Sequence, residues 1–306
     1  MGDLFIRKPV QSLLAEASTG NELKRTLGKW GLVALGIGAI IGSGLFVRTA
    51  AASAEHAGPS IVLSFVLAGF GCALAGLCYS EFAAMIPVSG SAYTYTYATM
   101  GEFIAWIIGW DLVLEYAIGA ATVAISWAEY FNKFISAAFG ISVPFQWCHS
   151  PFQTSPDGIH GIINIPAVII IGILTAVLIK GIRESATVNA VIVILKVTIV
   201  LFFIAIGWQF INPANLHPFI PPKTGPAFGS FGLGGIVAGA GVVFFAFIGF
   251  DAISTAAQET KNPKKDMPFG ILVSLAICTV LYILFAYVLT GVTNYHEFLT
   301  VGKEAS

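Results

Sequence analysis

The residues with chemistry to offer are few, and several sit where apolar residues would be expected. Lys196 lies inside Val191-Ile192-Val193-Ile194-Leu195-Lys196-Val197-Thr198-Ile199-Val200, too far from either end of that run for its ammonium to reach water easily. Burial disfavours its charge, while neighbouring carboxylate or carbonyl oxygens favour it, so a lysine held in that balance can load and release a proton. The plainer alternative is a lysine permanently paired for structural reasons. Asp111 and Glu115, four apart, share one helix face, where like charges resist joint ionisation unless water or a cation intervenes. Glu115 is the deeper of the two and is a candidate for a substrate cavity, whereas Asp111 suits a packing or interfacial role. Asp251 is placed to cap freed amides or to reach Lys196. Glu102 and Glu129 fall near the ends of apolar segments and read as solvated. His149 and His160 lack the spacing of metal ligands, and no Ser-His-Asp constellation is visible, so neither a cofactor nor enzymatic catalysis is expected.

Two apolar segments that must position these groups are interrupted in their middles. The first contains Gly36-Ile37-Gly38-Ala39-Ile40-Ile41-Gly42-Ser43-Gly44-Leu45-Phe46, and the second Phe244-Phe245-Ala246-Phe247-Ile248-Gly249-Phe250-Asp251. The glycines do not make a dinucleotide-binding loop, because that fingerprint needs a preceding strand and Gly-x-Gly-x-x-Gly spacing. Glycine is common in membrane helices for packing alone. The density of Gly42-Ser43-Gly44, however, is expected to unwind a helix. A break at mid-membrane frees backbone groups that lipid cannot satisfy, so it must line a cavity, and paired breaks point to a transporter's central site. Free amides at the start of one half-helix attract a carboxylate, and free carbonyls at the end of the other attract an ammonium. Two breaks side by side would therefore receive the α-carboxylate and α-amine of an amino acid without a charged side chain. Phe245, Phe247, Ile248 and Phe250 would supply a side-chain wall and an aromatic lid.

Composition fixes the setting. The chain has 306 residues, 57% hydrophobic and 10% charged, against roughly 25% charged in a soluble domain. Seven candidate spans lie near 31–50, 58–80, 102–131, 162–180, 185–208, 229–257 and 267–291, with Pro59, Pro166 and Pro268 near span starts. Residues 81–101 are too polar for a span and predict a short interfacial element. No cleavable signal peptide precedes the first span. With the N-terminus cytoplasmic, ten Lys and Arg fall inside (Arg7, Lys8, Lys24, Arg25, Lys29, Lys180, Arg183, Lys261, Lys264, Lys265) and four outside. A multi-pass protein of the cell's inner or plasma membrane follows, with its N-terminus in the cytoplasm, the bilayer as partner and no nucleic acid. Cys72, Cys78 and Cys278 fall in apolar segments and only Cys148 in an aqueous loop, so no disulfide framework is expected. The tail ends at Lys303-Glu304-Ala305-Ser306 without a basic ending, and the chain is expected to be the N-terminal portion of a longer protein.

The order of motifs resembles a known family. Leu23-Lys24-Arg25-Thr26-Leu27-Gly28 followed by the first glycine cluster resembles the opening of amino-acid permeases of the amino acid–polyamine–organocation superfamily. Pro87-Val88-Ser89-Gly90-Ser91-Ala92-Tyr93-Thr94-Tyr95, Trp110-Asp111-Leu112-Val113-Leu114-Glu115-Tyr116 and Glu259-Thr260-Lys261-Asn262-Pro263-Lys264-Lys265-Asp266-Met267-Pro268 resemble its cationic amino acid transporter branch. The resemblance implies an all-α polytopic fold of two inverted five-helix repeats (leucine-transporter-type) with broken helices 1 and 6. It implies 1–29 as a cytoplasmic segment, 30–208 as the first repeat, 209–227 as an external loop, 228–292 as the first two spans of an incomplete second repeat, and 293–306 as the start of an external loop. It also implies that the substrate carboxylate meets the amides of Ser43 and Gly44, and the amine the carbonyls of Ile40, Phe245 and Ile248. Lys196 would stand where sodium-coupled relatives hold a sodium ion, with protons as coupling ions. Spans 8 and beyond, and what they would add to the site and its gates, are missing from the chain.

Other classes fit less well. A seven-helix photoreceptor or receptor could use a buried lysine, but here the lysine is in span 5 and two spans are broken. A membrane-embedded enzyme lacks its catalytic cluster, and a channel lacks a continuous polar stripe.

Overall fold

The computed structural model describes residues 5–19, 25–180, 182–224 and 229–298. Leu23, Lys24 and the tail Lys303–Ser306 lie outside the described residues, as do the side chains of Lys180 and Arg183. Among the described residues ten α-helices follow one another: α1 (Val10–Thr19), α2 (Lys29–Ile40), α3 (Thr49–Ala52), α4 (Ile61–Met85), α5 (Ser91–Thr99), α6 (Glu102–Phe139), α7 (Ile165–Lys180), α8 (Ile182–Gly207), α9 (Gly232–Val243) and α10 (Pro263–Val292). Short π-helical and 3-10 turns join several of them. Among the described residues β-structure is limited to two isolated bridges, Leu27 with Thr260 and Thr154 with His160.

Among the described residues five helical stretches are long and apolar enough to cross a membrane: Gly44–Met85, Glu102–Phe139, Ala190–Phe210, Gly232–Glu259 and Pro263–Val292. Lys29–Ile40 and Ile165–Ile179 are shorter apolar helices. The stretch Gly44–Met85 contains a corner at Gly58, whose φ of 59° suits glycine and is followed by Pro59. It thus joins the second half of the first expected span to the second. The chain is an all-α, multi-pass membrane protein with its first and sixth apolar segments broken. Expected boundaries shift in several places, and α4 runs on to Met85 through residues expected to be interfacial. α6 runs on to Phe139, leaving Glu129 exposed well within the helix, and α10 starts at Pro263 rather than near 267.

The chain divides into two compact units, one from residues up to Trp110 together with Ala190 onward, the other from Asp111–Asn189. In the first unit α10 packs along α4 and α2, and α4 also meets α9. Small residues allow the close approach. A Cβ on Gly270 would come within 2.7 Å of the Leu32 Cβ, and one on Gly69 within 2.6 Å of the Thr279 Cγ2. Phe65, Phe247 and Tyr282 fill the core between these helices as a fully buried aromatic cluster. Residues 86–90 and α5 form the short element expected between two spans. Within the first unit it is tied to the second broken segment by Ser89, whose hydroxyl donates to the Thr255 carbonyl (2.5 Å).

In the second unit α6 and α7 meet through Ala124, Ala128 and Ala167, with Trp127 and Ile170 packed beside them. The connecting loop is pinned by two asparagines. Asn132 accepts from the Val143 amide (2.8 Å), and Asn164 donates to the Cys148 carbonyl (2.6 Å). Cys148 lies in this loop as expected but is buried, its single thiol proton donated to the carbonyl of Val143 or of Pro144, and burial pushes that thiol's pKa up.

Candidate functional site

The first break is built from backbone. α2 closes its last turn with the Ile41 amide donating to the Ile37 carbonyl (3.0 Å), and Ile41 itself is extended at φ −74°, ψ 104°. Gly42 is non-helical, and helical backbone resumes at Ser43 with a π-helical turn over Gly44–Arg48. Turns of that kind recur at functional sites because they leave carbonyls without partners in the ladder. In the second break α9 tightens into a 3-10 turn over Phe244–Phe247. Ile248 is then extended at φ −54°, ψ 135°, and Gly249 turns the chain with φ 107°. A second 3-10 run, Asp251–Glu259, carries it on.

The two breaks cross in close contact. A Cβ on Gly44 would lie 2.6 Å from the Ala246 Cα, and one on Gly249 would lie 2.8 Å from the Ala39 carbonyl oxygen. Gly44 and Gly249 are therefore required by packing as well as by conformation. Gly42 differs. A Cβ built there would meet nothing within 4 Å, so half-buried Gly42 has room beside it that Gly44 and Gly249 lack.

Freed carbonyls find two donors from other helices. The Lys196 ammonium, half-buried on α8, donates to the carbonyls of Gly38 and Ile41, the latter at 2.6 Å. The Tyr282 hydroxyl on α10, wholly buried, lies 2.9 Å from the Ile40 carbonyl and 2.8 Å from the Ala246 carbonyl. A hydroxyl has one proton, so it donates to one of these at a time or is shared between them. Either way it joins the carbonyl ends of both breaks. Asp251 starts the second 3-10 run, buried, with its Oδ2 3.4 Å from the Ser91 hydroxyl that donates to it. The bonds of Lys196 run to backbone, and Asp251 is engaged by α5.

The expected wall residues separate into two environments. Phe247 is fully buried, with its ring 5.2 Å from Tyr282 and 6.3 Å from Phe65. Phe245 and Ile248 are half-buried, and the Arg48 guanidinium stands 5.9 Å over the Phe245 ring. Phe250 packs edge-on to Tyr79 at 5.4 Å. Ser43 is half-buried, and Ile40 and Gly44 are buried at the crossing. Glu115 is half-buried and Asp111 exposed on α6, both in the second unit. The sequence reading missed Tyr282. Its signal was a phenol at mid-span, since a buried Tyr hydroxyl needs an acceptor.

A helical membrane protein with two crossed, broken spans whose carbonyl ends are held by a lysine and a tyrosine belongs to the class of broken-helix permeases. The amino acid permease family profile matches residues 27–303, and the chain belongs to that family. It is 44% identical over 307 residues to the methylthioribose transporter of Bacillus subtilis and 46% identical over 305 residues to the branched-chain amino acid permease BcaP of the same organism. Both alignments take in 100% of this chain and 63% of the relative. The vacuolar cationic amino acid transporter 4 of Arabidopsis thaliana is 36% identical over 298 residues, covering 97% of this chain and 48% of its own length. The chain thus spans less than two thirds of the curated relatives it matches.

Proposed function

We propose that the protein of which this chain forms part is a secondary transporter, moving amino acids across the cytoplasmic membrane by alternating access with its N-terminus in the cytoplasm. The observation that carries this reading is the crossing of the two breaks, Gly44 against Ala246 and Gly249 against Ala39, with room for an added Cβ at Gly42. There the amides of Gly42, Ser43 and Gly44 are offered to a carboxylate, and the carbonyls of Phe245 and Ile248 to an amine. The Ile40 carbonyl takes part through Tyr282, which already contacts it. Phe245, Phe247 and Ile248 shape the side-chain wall, and Asp251 holds the second half-helix to α5. Residues 30–208 act as a first five-helix repeat and 228–292 as the opening of a second.

Lys196 is the proposed proton-coupling group. Charged, it bonds the carbonyls of Gly38 and Ile41 and holds the end of α2; neutral, it loses the strength of those bonds and α2 is freer to move. Exchange of one substrate for another is the competing mode of coupling. Glu115 is proposed to read substrate charge.

The test is uptake of radiolabelled amino acids by the complete protein in proteoliposomes, with and without an inward proton gradient. Gradient-stimulated uptake of at least one amino acid is expected, with the stimulation lost in Lys196→Ala. Uptake of no amino acid overturns the substrate class, and stimulation that survives Lys196→Ala overturns the proton role. One relative is named for methylthioribose, which makes that sugar the informative competitor. Its transport in place of every amino acid would move the reading to a sugar-like substrate.

A further inference from the structure

The end of the first unit where α2 and α10 begin carries charge that the transport reading does not use. Leu27 pairs with Thr260. The Leu27 amide donates to the Glu259 carbonyl (3.0 Å) and the Lys261 amide to the Leu27 carbonyl (2.9 Å). Thr260 is wholly buried beneath this seam and its hydroxyl donates to the Ala256 carbonyl (2.8 Å), while Gly270 lets α10 press against Leu32 of α2. The pairing therefore draws Arg25 and Lys29, from one part of the sequence, beside Lys261, Lys264 and Lys265 from another.

All five cations are exposed, and among the described residues none has a carboxylate oxygen within 4.0 Å. The carboxylates on the same stretch, Glu259 and Asp266, are half-buried and fewer. Lys29 and Lys264 also stand in the first turns of their helices, the end where the helix dipole opposes a cation. An aromatic pair flanks the charges. Trp30 is 62% exposed and meets Phe269 edge-on at 5.4 Å, with the Lys29 ammonium 5.5 Å over the Phe269 ring.

We propose that this seam binds the phosphate headgroup of an anionic phospholipid, held by Arg25, Lys29, Lys261, Lys264 and Lys265 with Trp30 at the acyl boundary. Topology alone needs only a count of basic residues on one side, whereas here cations distant in sequence are gathered at one backbone junction. A lipid fits better than a soluble anion, because the charges flank an exposed tryptophan at the ends of two apolar helices, the level at which headgroups lie. A headgroup bridging Lys29 to Lys264 or Lys265 would tie the start of α2 to the start of α10. The inference rests on membrane embedding and is independent of what is transported.

The complete protein is examined by native mass spectrometry after delipidation and titration with phosphatidylglycerol or phosphatidylcholine. Retained phosphatidylglycerol, but not phosphatidylcholine, is expected, with affinity falling about fivefold for each lysine removed in Lys261→Gln, Lys264→Gln and Lys265→Gln. Lys180→Gln with Arg183→Gln serves as the charge-matched control for the double variant Lys264→Gln with Lys265→Gln and is expected to change nothing. Brominated phosphatidylglycerol is expected to quench Trp30 fluorescence, read as the part of the quench lost in Trp30→Phe, a measurement that needs no lysine variant. Equal retention of both lipids overturns the proposal. So does an equal loss in the control, displacement by millimolar inorganic phosphate, or quenching that Trp30→Phe leaves intact.

Discussion

Gly42 and Gly44 lie two residues apart and do different work. At Gly44 a methyl group would collide with the Ala246 backbone, so Gly44→Ala is expected to cost about 1–3 kcal/mol through overpacking, seen as a lower Tm in detergent. At Gly42 the same methyl enters open space, so Gly42→Ala should leave stability within about 0.5 kcal/mol while weakening substrate binding. Scintillation-proximity binding beside a thermal melt separates the two. A Gly42→Ala protein that melts early but binds normally would remove Gly42 from the site. Tyr282→Phe deletes the donor shared by Ile40 and Ala246 and leaves buried carbonyls short of a partner, at a cost of about 1–3 kcal/mol. Substrate affinity should fall with it, since those carbonyls frame the two breaks. Glu115→Gln is expected to shift preference from arginine and lysine toward neutral amino acids in competition uptake. An unchanged preference would take Glu115 out of the charge-reading role.

At the scale of elements, the two breaks have different physical origins. The first interrupts α2 at Ile41 and Gly42 and recovers as a π-helical turn, without a positive φ. The second passes through Gly249 at φ 107°, a conformation that costs other residues about 1–3 kcal/mol. Gly249→Ala is therefore expected to be more damaging than Gly42→Ala, in expression and Tm alike, because it adds strain to a clash with the Ala39 carbonyl. The sequence showed both breaks through glycine density and apolar flanks. It did not show the crossings, because Gly44 meeting Ala246 is a long-range contact with no local signature. For the same reason, Cys148 read as a loop thiol in water, whereas Asn132 and Asn164 fold the loop over it. Slow reaction of Cys148 with maleimide is expected, since burial both raises its pKa and limits access. Fast labelling of the intact protein would contradict that packing.

At the scale of the whole molecule, the described residues hold five long apolar helical stretches and two shorter apolar helices, Gly44–Met85 taking in the second half of the first expected span together with the second. α7 and the described part of α8 expose large apolar side chains such as Ile179, Ile194 and Phe202. Helices apolar all round belong in lipid. The N-in orientation is checked with single-cysteine variants in a background without native cysteines. A cysteine at Arg25 should be shielded from membrane-impermeant reagent in intact cells and one at Lys223 labelled. The reverse pattern would invert the topology and place the basic seam on the outer leaflet.

By itself the sequence determined that the chain lies in a membrane, that its first and sixth apolar segments break and that Lys196 sits among apolar residues. Each follows from local composition, which lipid reads one segment at a time. Only the tertiary structure decided what meets across those breaks. Gly44 lies against Ala246, Gly249 against Ala39, Lys196 reaches the end of α2, and Tyr282 contacts both carbonyl ends. It also decided that Leu27 pairs with Thr260 and gathers the lysines. Such partners are chosen by shape and by the need of buried carbonyls for donors, and neither is encoded in the spacing of residues along one helix.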